Sequence, residues 1–152
     1  MKSMAAILLL AASVALSGCG SNSNSTVNGN INGTWNATLD SSGTETLGFV
    51  TNLTVNSGGA LGTSSFNIMV NNTPCVFPVT TESGSFTIGG NFNGQVSGTF
   101  HYVVTSTGAT VNTLTLDGMV SGGQITGTWT ATGASGGCSG NGTFSMIPMP
   151  GG

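Results

Sequence analysis

The chain has 152 residues, of which 38% are hydrophobic and only 3% charged, and its formal net charge is −3. Lys2 is its single lysine or arginine, so the rest of the chain has no such side chain to neutralise phosphate groups. This composition excludes nucleic-acid binding and charge-based docking on anionic lipid headgroups. The low net charge and the patterned apolar residues favour a folded domain over disorder.

Residues 1–18 have the organisation of a secretory signal peptide. Lys2 supplies a positive start, and the apolar run from Met4 to Ala15 is too short to cross a bilayer as a mature helix. The run leads into Leu16-Ser17-Gly18-Cys19, which resembles the lipobox of bacterial lipoproteins. The resemblance implies cleavage before Cys19, a diacylglyceryl group on its thiol and an acylated new amine.

The lipobox resemblance also implies a location and a partner. In Gram-negative lipoproteins an aspartate directly after the cysteine favours the inner membrane, and Gly20 stands there instead. The resemblance therefore implies the outer membrane if the source has one, with the lipid anchor on Cys19 as the membrane contact. Residues 19–30 are small and polar, which predicts a flexible tether with a root-mean-square reach of roughly 15–20 Å.

Residues 31–152 are predicted to form a single β-domain, because apolar and polar residues alternate with a period of two. Asn-Gly, Gly-Gly and similar turn signals separate the alternating runs. The pattern predicts about eight strands and a last short one that closes or caps the sheet. These runs lie near 32–40, 46–56, 61–71, 75–81, 84–92, 95–106, 111–121, 124–133 and 141–147.

The fold class is therefore all-β, and the short connections favour an antiparallel up-and-down barrel of about eight strands. A two-sheet β-sandwich is the alternative. An integral outer-membrane barrel would need aromatic girdles, for which two tryptophans and one tyrosine are too few.

A short motif of a β-branched residue, any residue, glycine, threonine and an aromatic residue occurs at three strand starts. Its aromatic residues are Trp35, Phe100 and Trp129, and Gly142-Thr143-Phe144 is a shorter copy. The motif predicts that glycine permits a bend or bulge while the aromatic side chain fills the interior. If the barrel holds a small apolar or sugar-like ligand, these three aromatic residues are the predicted lining.

The first copy of this motif, Ile31-Asn32-Gly33-Thr34-Trp35, resembles the opening strand of avidin-type biotin-binding barrels and of lipocalin-like barrels. The resemblance covers about thirty residues and implies barrel architecture. The avidin family lines its ligand site with several further tryptophans, whereas Trp129 is the only other one here. Biotin binding is therefore not carried over.

Cys75 and Cys138 remain once Cys19 is acylated, and two cysteines in an exported chain predict one disulfide. His101 is the only histidine and is predicted to lie on the wet face of its strand. A Ser-His-Asp hydrolase with Asp117 or Asp40 as the orienting acid is conceivable, but no G-x-S-x-G elbow marks a serine. We therefore expect no catalytic residues, no metal and no cofactor.

Together these features predict a membrane-anchored, extracytoplasmic lipoprotein with a non-enzymatic β-domain. Its role would lie in envelope structure or in binding a partner. A ligand-binding barrel is the first alternative, and a hydrolase is the second.

Overall fold

The computed structural model describes residues 31–92, 95–134 and 137–150. Within these ranges the chain forms eight antiparallel strands in one nearly closed, barrel-shaped sheet and no helix. The strands are β1 (Gly33–Ser41), β2 (Thr44–Val55), β3 (Leu61–Asn71), β4 (Thr80–Phe92), β5 (Gln95–Ser106), β6 (Asn112–Ser121), β7 (Gln124–Gly133) and β8 (Ser139–Pro148). Each strand pairs with its neighbour in sequence except β3 with β4, and β8 returns to pair with β1. The predicted up-and-down barrel is confirmed.

The prediction of separate strands at 75–81 and 84–92 is wrong. Residues 72–79 form an irregular connection, and β4 runs without interruption from Thr80 to Phe92. Pro74 and Pro78 lack the backbone N–H that a ladder requires, so the earlier part of this stretch cannot pair as a strand. The strand count is restored by the segment near 141–147, which belongs to β8 and closes the barrel against β1.

The two ends of the barrel differ, and we name them by their chain segments. The entry end carries the start of β1, the end of β8 and the β2–β3, β4–β5 and β6–β7 turns. The stapled end carries the other connections, including residues 72–79 and Cys138. Strands alternate in direction between these two ends.

Glycines and aromatic side chains alternate across neighbouring strands inside the barrel. Trp129 lies opposite Gly142 and Phe144 lies opposite Gly127 on strands β7 and β8. Phe100 is likewise opposite Gly118, and Tyr102 is opposite Gly84. The motif glycines Gly127 and Gly142 lie in regular register without a bulge and make room for a ring on the adjacent strand. Gly98 of β5 does lie at a bulge, which β4 forms between Ile88 and Gly90.

A seam between β3 and β4 is the one place where the barrel is not closed by a continuous ladder. The two strands meet there through an isolated bridge between Ala60 and Ser85, and the Phe86 N–H donates to the Gly59 carbonyl over 2.7 Å. Phe66 and Ile68 of β3 pack against the core but stay partly exposed. Incomplete pairing leaves the inner face of β3 only half covered.

Candidate functional site

The predicted lipidation site, Cys19, lies outside the described residues, as do the signal peptide and the whole predicted tether. The described chain begins at Ile31, whose side chain is buried at the entry end. The indole Nε1–H of Trp35 donates to the Ile31 carbonyl over 2.9 Å. The point at which the chain emerges from the barrel is therefore held by a core tryptophan.

Cys75 and Cys138 form the predicted disulfide, with their Cα atoms 4.5 Å apart across 63 positions of sequence. The bond ties the 72–79 connection to the segment that opens β8. Two amides hold the same connection: Asn71 Nδ2 donates to the Cys75 carbonyl over 2.7 Å, and Asn112 Nδ2 donates to the Val76 carbonyl over 2.8 Å. The stapled end is thus covered by a cross-linked and hydrogen-bonded segment.

The three aromatic residues predicted to line a ligand site are all buried in the core. Trp35 uses its indole N–H on the Ile31 carbonyl, and Trp129 donates its own to the Asp40 carbonyl over 3.1 Å. Phe100 packs in tilted contact with Tyr102 and with Phe144, at centroid distances of 6.1 and 6.4 Å. They pack as interior side chains, and their role in holding a ligand stays a prediction.

A buried group of hydroxyls beside the seam was not predicted as a site. Thr51 Oγ1 donates to the Ser65 carbonyl over 2.9 Å, and the Tyr102 hydroxyl lies 3.3 Å from both Thr51 Oγ1 and Thr63 Oγ1. Because the Thr51 hydrogen is already used, Tyr102 donates to Thr51 and accepts from Thr63. These bonds connect β5 to β2 and β3 through side chains, and so span the seam where the β3–β4 ladder is missing.

Burial raises the pKa of Tyr102 to about 12, the Thr51 and Thr63 hydrogen bonds oppose that rise, and the Glu82 carboxylate adds to it. Glu82 lies on β4, where its carboxylate accepts a hydrogen bond from the Thr80 hydroxyl. Glu82 is part of the strand because β4 is continuous there. The signal that could have revealed this group was Thr51, a polar residue at an inward position of a strand.

His101 lies on the outer face of β5, as predicted, and contacts an acid. Its Nδ1 is 2.6 Å from Asp117 Oδ1, in a pair whose side chains are 46% and 64% exposed. Ser85 lies opposite His101 in the β4–β5 register, so the sheet brings the three residue types of a hydrolase into one row. Asp40 lies on β1 and is not part of it.

This row stands on an open strand surface, where water competes for every hydrogen bond. Nucleophile activation depends on a positioned and largely water-excluded site. The geometry therefore favours a solvated surface pair, and the expectation that the chain is not an enzyme stays a prediction. Among the described residues, no three His, Cys, Asp or Glu side chains gather where they could hold a metal ion.

The described ranges also contain no helix with the length and apolarity to cross a membrane. Comparison with protein-family models, with curated proteins and with solved structures found no match to this chain.

Proposed function

We propose that this protein is a lipid-anchored lipoprotein of the bacterial envelope, whose β-domain acts outside the cytoplasm without catalysis. The observation that carries the proposal is the division of its three cysteines. Cys19 ends a lipobox, and the other two are joined in a disulfide. Disulfides persist in oxidising compartments, the same side of the membrane on which a lipoprotein is acylated and held.

The interior of the domain supports a structural or partner-binding role. Both indole N–H groups are bonded to backbone carbonyls, and the large aromatic rings pack against one another. A domain stiffened in this way presents a fixed outer surface on a tether, which suits contact with another envelope component. Gly20 after the lipidated cysteine supports placement at the outer membrane in a Gram-negative source.

Mass spectrometry of protein from the membrane fraction tests the lipoprotein proposal. We expect the mature chain to begin at Cys19 and to carry acyl mass, with Cys75 and Cys138 oxidised together. Cys19→Ser should abolish the acylated form, while Ser17→Ala, which keeps a small residue in the box, should leave it intact. An acylated Cys19→Ser protein, or unmodified Cys19 in the wild type, would refute the proposal.

Binding of a small apolar or sugar-like ligand is the second candidate function. It is favoured by the Tyr102, Thr51 and Thr63 hydroxyls beside the seam, which lie next to the partly exposed ring of Phe66. Hydroxyls next to an aromatic face are the groups that recognise a sugar. Native mass spectrometry of the same preparation should show a further mass beyond the acyl groups, and its absence would remove this candidate.

A further inference from the structure

Large apolar side chains remain exposed at the entry end of the barrel. They are Ile88 (52% exposed), Met119 (52%), Ile147 (48%) and Met149 (43%). The first three lie on β4, β6 and β8, so they are spread around the barrel instead of forming one stripe. Met149 follows β8 and is fixed in place because its N–H donates to the Thr34 carbonyl over 2.8 Å.

Ile88 belongs by its register to the inner face, since it pairs with the buried Gly98. More than half of its side chain is nevertheless exposed. The preceding inward residue, Phe86, is buried. Val96 of β5 lies nearer the hairpin tip and is buried, so the exposure belongs to β4, which borders the seam and has a bulge directly after Ile88. Ile88 thus presents apolar surface at the entry end.

Most of the acidic residues lie at the other end of the barrel, the stapled end. Asp40, Glu45 and Glu82 each lie within two residues of the stapled end of their strands. Asp117 is in the middle of β6 and is paired with His101. These four are all the acidic side chains of the chain, so the entry end carries no acidic side chain and is partly apolar.

A second group of exposed apolar residues lies at the stapled end: Met69, Val76, Val79 and Val111. This group shares its end of the barrel with three carboxylates. Carboxylates are repelled by anionic headgroups and lose hydration at any lipid interface. Charge therefore separates two ends that are similar in exposed apolar residues.

The path of the chain selects the same end. Ile31 is buried at the entry end, and residues 19–30 run from there to the proposed anchor. A tether of this length keeps the attached end of the domain close to the bilayer at a high effective concentration. Under that condition a small apolar contact is enough to orient the domain.

We propose that the entry end rests on the surface of the phospholipid bilayer that holds the acyl chains, with Ile88, Met119, Ile147 and Met149 at the lipid interface. The stapled end then faces away from the membrane and is the surface available to partners. This inference depends on the proposed lipidation of Cys19.

Native methionines can test this orientation without labels. The exposed ones are Met119 and Met149 at the entry end and Met69 at the stapled end, whereas Met146 is buried. Acylated protein in dimyristoylphosphatidylcholine vesicles would be treated with hydrogen peroxide, and sulfoxide formation at each site followed by mass spectrometry. Rates would be divided by those of the urea-unfolded chain.

We expect Met119 and Met149 to oxidise about fivefold more slowly than Met69, because oxidation follows exposure and lipid covers the entry end. Ile147→Glu should abolish the protection of Met149 by placing a charge at the interface. The matched variant Val79→Glu, on the other end, should leave the protection unchanged.

Two oxidation patterns would overturn the orientation. In one, the three exposed methionines oxidise at similar rates on vesicles. In the other, Met69 is the protected residue and the stapled end faces the lipid. Intact mass separates these outcomes from failure of the lipoprotein proposal: a chain without acyl mass on Cys19 removes both proposals, whereas an acylated chain with either pattern removes only the orientation.

Discussion

Tyr102 shows at the scale of one residue how this barrel manages its seam. A ladder of backbone hydrogen bonds is missing between β3 and β4, and the hydroxyl of Tyr102 on β5 bonds to Thr63 of β3 and Thr51 of β2 across that gap. The side chain is buried and its pKa is raised to about 12. Because this buried phenol must stay neutral, the domain should lose stability as the pH becomes strongly alkaline.

The sign of this dependence follows from the two pKa values, 10.0 for an ordinary tyrosine and about 12 in the fold. The stabilisation by neutral Tyr102 is fully present below pH 10 and is lost as pH rises through about 12. Because Tyr102 is the only tyrosine, absorbance at 295 nm reports its titration directly. We expect an apparent pKa near 12 in the native protein and near 10 in urea.

Tyr102→Phe is the control for this experiment. The variant should show no absorbance change at 295 nm, and its free energy of unfolding should depend less on pH between about 10 and 12 than that of the wild type. A native wild-type titration near pH 10 would mean that the phenol is hydrated, contrary to the structure.

The exposed pair of His101 and Asp117 contrasts with the buried hydrogen bonds of Tyr102. Its 2.6 Å distance is short, yet both side chains are substantially exposed. Exposed ion pairs contribute little to stability because water and salt screen them. Proximity is therefore a poor guide to importance here, and burial is the better one.

At the scale of one strand, pairing with the neighbouring strand explains why glycines and aromatic residues recur together. A Cβ added at Gly140 would lie 2.8 Å from Trp129 Cη2, and one added at Gly142 would lie 1.8 Å from the Asp40 carbonyl oxygen and 2.9 Å from Trp129 Nε1. The two glycines of β8 thus form a slot for the indole of β7. The ring in turn covers the backbone that the glycines leave bare.

Gly140→Ala should lower the free energy of unfolding by about 1–3 kcal/mol, because a Cβ there would meet only the Trp129 ring within 4 Å and the overpacking would displace that ring. Urea titration followed by tryptophan fluorescence would measure the change. Gly137→Ala is the matched control, since a Cβ there meets no atom within 4 Å. Equal stability of the two variants would contradict the proposed slot.

At the scale of the whole molecule, closure depends on contacts between distant parts of the chain. The β1–β8 ladder joins the two termini of the described domain. The disulfide joins residues separated by 63 positions. The closing segments are thus fixed to the rest of the barrel by a ladder at one edge and a covalent bond at one end.

Replacing both cysteines, with Cys75→Ser and Cys138→Ser together, should lower stability by about 2–5 kcal/mol. The covalent bond lowers the conformational entropy of the unfolded chain, and its loss also releases the 72–79 connection from β8. Calorimetry would measure the lower melting temperature, and reduction of the wild type should reproduce it. A double variant as stable as the oxidised wild type would show that the amides of Asn71 and Asn112 suffice.

The alternation of apolar and polar residues determined most of the fold. It placed Trp35, Phe49 and Leu116 on the inner face, and turn residues between short runs required antiparallel neighbours. These are local properties of the backbone, so they can be read without knowing what lies opposite. Cysteine count, in the same way, left Cys75 and Cys138 as the pair to be joined.

Tertiary structure decided what depends on neighbours distant in sequence. Only the register sets His101 against Asp117 and opens a slot for Trp129, because cross-strand partners are chosen by sheet closure. Ile88 carries an inward pattern but is exposed, because β4 borders the open seam and has a bulge directly after this residue. The order of the strands likewise decides which end receives the chain from the proposed anchor and which end carries the acids.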